Sequence, residues 1–169
     1  IVTHWPSKYG GAGYTEGMRE SVAEILKGRV KEIQTAAPAE KIIVMGDFND
    51  PPESKALKVL TDSINQEGRE SEWFLVNMAA DYKGEVPGSY KYNGAWQMID
   101  QILVSRTMVS GESGLFVNAE SYRVFAPAFL LEQDEKYGGM KPLRTYAGYA
   151  YHGGYSDHLP VVLDLFGGR

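Results

Sequence analysis

There is no cysteine in these 169 residues. That absence removes disulfides, thiolate metal ligands and a cysteine nucleophile, and it leaves the redox compartment open. No run of about 18 apolar residues occurs, so no transmembrane helix is encoded. The opening "IVTHWPSKYGG" has neither an initiator methionine nor a charged-then-apolar export signal. It starts mid-strand and reads as a fragment. Positive charge is in short supply: 17 Lys and Arg stand against 22 Asp and Glu, for a formal net charge of -5 and a pI near 5.2. Such a surface does not attract a polyanion indiscriminately, which argues against tight, sequence-blind duplex binding while a local basic patch stays open. What is abundant is core-forming material, 43% hydrophobic and 12% aromatic, enough for one globular domain.

Periodicity predicts a β-α-β-α order followed by strands. Residues 1–4 read as the end of a strand, and "KYGGAGY" as a glycine-rich loop. Thr15, or Ser7 further back, is a candidate cap for the helix predicted over 16–36, whose Met18, Val22, Ile25, Leu26, Val30 and Ile33 recur at three- and four-residue steps. Residues 41–45 predict a buried strand. The segment "PPESKALKVLTDSI" predicts a proline-opened helix with Ala56, Leu57, Leu60 and Ile64 inward. Residues 73–78 predict a strand. Asn93-Gly94, between stretches rich in aromatic and β-branched residues, is the strongest hairpin signal in the chain. Residues 122–131 read as partly extended, 132–154 as a long irregular loop rich in tyrosine, and 161–166 as a last strand.

The polar residues of chemical interest fall at the ends of these apolar elements. Asp47 and Asn49 follow the buried strand in "IIVMGDFNDPPES", Asp100 interrupts another strand, Asp157 and His158 precede the last, and His4 ends the first. Hydrolysis of a phosphoester at neutral pH calls for a hard cation on oxygen ligands, a positioned water, and a group that steadies charge on the phosphoryl oxygens. These residue types supply that set. A serine nucleophile is not suggested, since neither Ser7 nor Ser156 sits in a G-x-S-x-G elbow. An unpaired carboxylate inside a strand is expensive, so Asp100 needs a partner, and His158 is the natural one.

Four motifs, in order, carry a resemblance over nearly the whole chain: "THWPS" at 3–7, "GDFN" at 46–49, "MIDQILVS" at 98–105 and "SDHLP" at 156–160. The chain resembles the C-terminal half of an endonuclease/exonuclease/phosphatase superfamily protein of the DNase I-like, bacterial branch. The resemblance implies an α/β fold, about half of a four-layer sandwich, with a mixed, largely antiparallel sheet and flanking helices. It implies a metal-dependent phosphoester hydrolase, nuclease-like phosphodiesterase or phosphatase, using Mg²⁺ or Mn²⁺. Asp47 would orient or deprotonate the attacking water, with Asn49 holding that water or the phosphate. His158 would face the phosphoryl group with Asp100 fixing its ring, and His4 would act near the leaving group. Asp157, together with Asp47, would hold the metal. Arg19, in a phosphate or structural contact, and Arg144 and Tyr146, in the tyrosine-rich loop, are the candidate substrate contacts.

The departures from the family pattern set further expectations. Family members carry an asparagine and a metal-binding glutamate in an N-terminal half that this chain lacks, and no acid precedes His4 to replace that glutamate. Residues 1–169 are therefore expected to form one unit, the C-terminal part of such a domain. Its open sheet face would be covered by the missing N-terminal half or by a second copy. The alternative to an enzyme is a catalytically incomplete fragment or a non-enzymatic binding module of the same fold. The substrate, whether nucleic acid, phospholipid head group or small phosphate ester, is not chosen by the motifs. Localisation is open, because any export signal would lie in the absent half. Singly, Asp47 also reads as a helix cap, His4 as a core histidine and His152 as an exposed loop residue.

Overall fold

In the computed structural model, residues 1–62, 74–109 and 114–167 are described. The predicted helical stripe is largely there: Leu26 and Val30 are buried and Val22 and Ile33 pack against the same core, while Met18 and Ile25 fall off it. Helix α1 spans Ala12–Ala36, and the residues it buries are Thr15, Arg19, Ala23, Leu26 and Val30, a clean 3.6-residue stripe. Met18 and Ile25, expected inward, are 46% and 74% exposed because they lie one step off that stripe. Neither Thr15 nor Ser7 caps the helix: Gly11 is the N-cap, without a side-chain bond, and Thr15 sits inside the first turns. Helix α2 (Lys55–Thr61) is capped by Ser54, whose side chain accepts from the Leu57 amide, so a hydroxyl rather than the prolines sets its start. Ala56, Leu57 and Leu60 are buried as expected; Ile64 lies outside the described residues.

Strands β1 (Val2–His4), β2 (Ile43–Asp47), β3 (Leu75–Asn77) and β6 (Asp100–Ser105) make a four-stranded sheet in the order β1-β2-β6-β3. The β1-β2 pair is parallel, and β6 is antiparallel to β2 and β3. Between β3 and β6 lies the Asn93-Gly94 hairpin of β4 (Tyr90–Tyr92) and β5 (Ala95–Gln97), with positive φ at both turn residues, 48° and 84°. The strand expected at 41–45 is shifted to Ile43–Asp47 because it continues through Gly46. At φ 144° this glycine lies so close to β1 that an added Cβ would sit 1.8 Å from the Thr3 carbonyl oxygen.

After β6 come α3 (Arg106–Val109), β7 (Leu115–Val117), β8 (Arg123–Val124), β9 (Leu131–Gln133), β10 (Met140–Pro142), β11 (Tyr146–Ala147), β12 (Ala150–Tyr151), β13 (Val161–Val162) and β14 (Leu165–Gly167). The segment 132–154, expected to be irregular, is organised as two hairpins, β9-β10 and β11-β12. The single last strand expected at 161–166 is two short ones, β13 paired with β8 and β14 with β7. Trp73, assigned to a strand from the sequence, lies outside the described residues.

The sheet separates two apolar clusters. Val44, Leu75 and Leu103 face the helices, with Trp5, Leu26, Val30, Phe48 and Leu57. Ile102 and Val104 face the other way, with Met98, Met108, Val124 and Leu159. Alternation along each strand then fixes where the polar residues go: Asp100 shares the face of Ile102 and Val104, and register sets it opposite Asp47, which in turn stands opposite His4.

Candidate functional site

Each site residue is placed by a buried neighbour. Trp5 and Phe48, following His4 and Asp47, point into the helix-side core and meet edge to face at 4.9 Å, a contact worth about 0.5–1.5 kcal/mol beyond its burial. The Trp5 amide donates to the Asp47 carbonyl at 2.9 Å and the Phe48 amide to the Ile99 carbonyl at 2.8 Å, extending both strand pairings to the site. His4, Asp47 and Asp100 thus project in a row from β1, β2 and β6.

Asn49 has φ 51°, a left-handed conformation that asparagine tolerates better than most residues. Its amide donates to Asp47 Oδ1 at 2.8 Å, and its Nδ2 donates to Asp47 Oδ2 at 3.2 Å and to the Trp5 carbonyl at 3.0 Å. Asn49 therefore steadies both oxygens of the acid and ties the loop back to β1. His4 Nε2 stands 3.5 Å from Asp47 Oδ2 on the open side, with 74% of its side chain exposed.

His158 packs its Nδ1 against Asp100 Oδ2 at 2.7 Å. A carboxylate only accepts, so Nδ1 carries the proton and Nε2 remains for the cleft. Burial pulls the His158 pKa down; the hydrogen bond and charge of Asp100, then the charges of Asp47 and Asp157, outweigh it, and the net shift is upward. Asp47 is also shifted up, first by burial and also by the Asp100 charge, against the lowering effects of the Asn49 amide, His158 and His4. The result is a reluctant carboxylate beside a histidine that favours its charged form.

Asp47, Asp100 and His158 each offer a ligand atom within 4.8 Å of the others, the one such group among the described residues that includes any expected metal ligand. The donor chemistry suits a divalent cation, which would relieve the burial and repulsion that hold the Asp47 pKa up. Asp157 does not join this group; it is exposed and acts on His158 through its charge.

A cleft of about 670 Å³ opens over these side chains, lined by His4, Ser7, Lys8, Asp47, Asn49 and His158 on one part and by Tyr9, Tyr90, Tyr92, Gln97 and Ile99 on the rest. Tyr90 and Tyr92 stack at 6.4 Å, and Tyr90 also packs against the His158 ring at 4.7 Å. Sequence reasoning missed this wall. Its signal was the alternation in "SYKY", which puts two tyrosines on one face of β4.

The three expected substrate contacts fare differently. Arg19 is not in the cleft: it is 2% exposed, with Nε 2.6 Å from Asp50 Oδ2 and Nη1 donating to Thr15 Oγ1 and the Pro6 carbonyl, so of its two expected roles the structure shows the structural one. Arg144 is half-buried behind the wall, its guanidinium 5.8 Å from the Tyr90 ring and bonded to the Lys91 carbonyl. Tyr146 is 58% exposed and meets Tyr151 edge to face, apart from the residues that line the cleft. His152 is exposed as expected, and it also bonds Glu132 at 2.7 Å.

The sequence model of the Endonuclease/Exonuclease/phosphatase family matches residues 1–166. Among solved structures, a mannosyl-6-phosphatase of Bacteroides thetaiotaomicron is similar at 18% identity and TM-score 0.54, over 89% of this chain and 46% of its own. An endonuclease/exonuclease/phosphatase family protein from the same organism is similar at 17% identity and TM-score 0.56, over 97% of this chain and 47% of its own. The chain thus spans about half the length of these structures. No curated protein matches.

Proposed function

The chain belongs to the endonuclease/exonuclease/phosphatase family, and from that premise we propose that it forms the catalytic face of a divalent-metal-dependent hydrolase of small phosphoesters. The observation that carries this reading is the convergence of His4, Asp47, Asn49 and His158 from three chain segments onto one cleft, with Asp100 from a fourth bonded to His158 at 2.7 Å. Asp47, with a raised pKa, takes the proton of an attacking water that Asn49 helps to hold. His158, protonated through the influence of Asp100, offers Nε2–H to the phosphoryl oxygens, and His4 stands on the open side to serve the leaving group. Asp47, the expected ligand that falls in the compact group with Asp100 and His158, would hold Mg²⁺ or Mn²⁺, which would supply neutralisation of charge on the phosphoryl oxygens, while Asp157, outside that group, acts through its charge on His158.

Two features support a small substrate over long duplex DNA. Among the described residues, Lys8 is the one lysine or arginine lining the cleft, and its Nζ is 3.3 Å from Asp50 Oδ1, so little cationic surface is left there to track a polyanion. The Tyr90-Tyr92 wall presents apolar ring faces beside His158, suited to the alcohol portion of an ester. That the similar mannosyl-6-phosphatase acts on a phosphate ester is in keeping with this choice.

A second reading, that the chain alone is catalytically incomplete, has its own support. Val2 and Met45 are 75% and 43% exposed on the face that carries His4 and Asp47, and the similar structures are about twice as long. A further half of the fold, or a second copy, would cover them. The test is hydrolysis of plasmid DNA, single-stranded RNA, bis-p-nitrophenyl phosphate, sphingomyelin and sugar and inositol phosphates, with Mg²⁺, Mn²⁺ or EDTA, by this chain and by a full-length protein. Metal-dependent turnover of a small ester, reduced about 10²- to 10⁴-fold by Asp47→Asn and by His158→Ala, is expected. Turnover indifferent to both substitutions would remove the mechanism. Turnover by the full-length protein alone would favour the second reading.

A further inference from the structure

Ser89 lies immediately before β4 and is fully buried. Its Oγ accepts from the Asp100 amide at 3.2 Å and stands 2.6 Å from Asp100 Oδ2. The carboxylate can only accept, so the single hydroxyl proton points at Oδ2. That same oxygen receives His158 Nδ1–H at 2.7 Å. The Ser89 carbonyl meanwhile accepts from the Leu159 amide at 2.7 Å, and Tyr90 forms an isolated β-bridge with His158 as well as the ring contact. One dipeptide therefore grips both partners of the pair, Asp100 through a side chain and His158 through backbone and ring.

The grip has a fixed base. Alternation along β4 turns Ser89 and Lys91 inward and Tyr90 and Tyr92 to the cleft. Lys91 is buried against Asp134 at 2.8 Å and donates to the carbonyls of Gly138 and Met140. On the other side, Gly88 packs so tightly that a Cβ would come within 2.5 Å of the Gln97 carbonyl oxygen. Ser89 cannot easily drift, and neither can its hydroxyl.

We propose that Ser89 is a positioning residue for hydrolysis, locking the Asp100 carboxylate so that His158 presents Nε2 to the phosphoryl group. The terminal torsion of an aspartate is broad and roughly two-fold. Without a second anchor, only the histidine itself would hold the carboxylate in place. An O–H···O⁻ bond is among the stronger protein hydrogen bonds, so its loss frees a rotation that the reaction needs fixed. The inference rests on the reading that His158 serves the phosphoryl group.

The experiment has two arms. In the full-length protein, with the best ester of the panel, Ser89→Ala should lower kcat about 10- to 100-fold with KM little changed. Ser89→Thr, which keeps the hydroxyl, should recover most of the loss, and Ser89→Ala should add nothing to Asp100→Asn because both break one unit. In this chain alone, the His158 Nδ1 proton should resonate far downfield in NMR spectra, and Ser89→Ala should move it upfield or broaden it by exchange. This second arm needs no turnover, so an inactive wild type would count against the hydrolase reading while the proton still decides the role of Ser89. An unshifted proton, or a kcat deficit that adds fully to that of Asp100→Asn, would overturn the proposal. Should Ser89→Ala not fold, Ser89→Cys takes its place with the same expectations.

Discussion

Replacing Arg19 by methionine tests whether the buried guanidinium holds the loop that carries the site. Arg19 Nε meets Asp50 Oδ2 at 2.6 Å, and the Asp50 side chain is 8% exposed. Removing the arginine leaves that carboxylate with Lys8 alone, at 3.3 Å and 36% exposed, and strands the Thr15 hydroxyl and Pro6 carbonyl. Breaking one side of a buried pair costs about 3–5 kcal/mol. For a chain of this size, each kcal/mol lowers Tm by about 2–4 °C, so Arg19→Met should lower Tm by roughly 6–20 °C. Replacing both partners removes the orphaned charge, and Arg19→Met with Asp50→Leu should recover most of the loss. Thermal unfolding of both variants followed by circular dichroism gives the answer. A single variant within about 2 °C of wild type, or a double variant worse than the single, would refute the reasoning.

The remaining predictions concern the site. Gly46→Ala should expel β1, because the new Cβ meets the Thr3 carbonyl at a φ that itself costs about 1–3 kcal/mol; amide exchange at Val2–His4 should quicken, and unchanged protection would exclude the clash. The raised pKa of His158 stabilises the fold fully below its ordinary value of 6.5, and that contribution is lost as pH rises through the raised value. The urea midpoint should therefore fall more between pH 6 and 8.5 in wild type than in His158→Asn, and an equal fall would contradict the pairing. Mg²⁺ at about 100 times its Kd should stabilise by about 2.7 kcal/mol, roughly 5–11 °C in Tm, and Asp47→Asn should abolish most of this; no shift in either protein would remove the proposed metal site.

The grouping at the site was legible because short motifs and one energetic argument carried it. Asp100 opens a strand whose centre is apolar, which demanded a partner, and the structure supplies His158 at 2.7 Å. Arg19 was harder to place: its partner Asp50 is 31 residues away, and an arginine at a polar helix start looks the same in sequence whether it turns to a cleft or to a core. Ser89 gave no motif at all. Its role appears only when strand alternation, the Asp100 amide and the His158 loop meet in space. The start of α1 was misplaced because a glycine serves as the cap where a hydroxyl was sought, and the end of β2 because Gly46, usually a breaker, is required by the close approach of β1. The β9-β10 and β11-β12 hairpins escaped notice because each is only two or three residues per strand.

The pairing of Asp47 with Asp100 across β2 and β6 has a consequence for how the chain avoids error. Shifting β6 by one residue would turn Asp100 towards the helix-side core of Val44, Phe48 and Leu57, away from His158, and would push Leu103 out of that core. A carboxylate in such surroundings without a partner is several kcal/mol out of place. The acid that orients the histidine therefore also proofreads the sheet: the alignment that would destroy the site is the alignment the chain is least able to adopt.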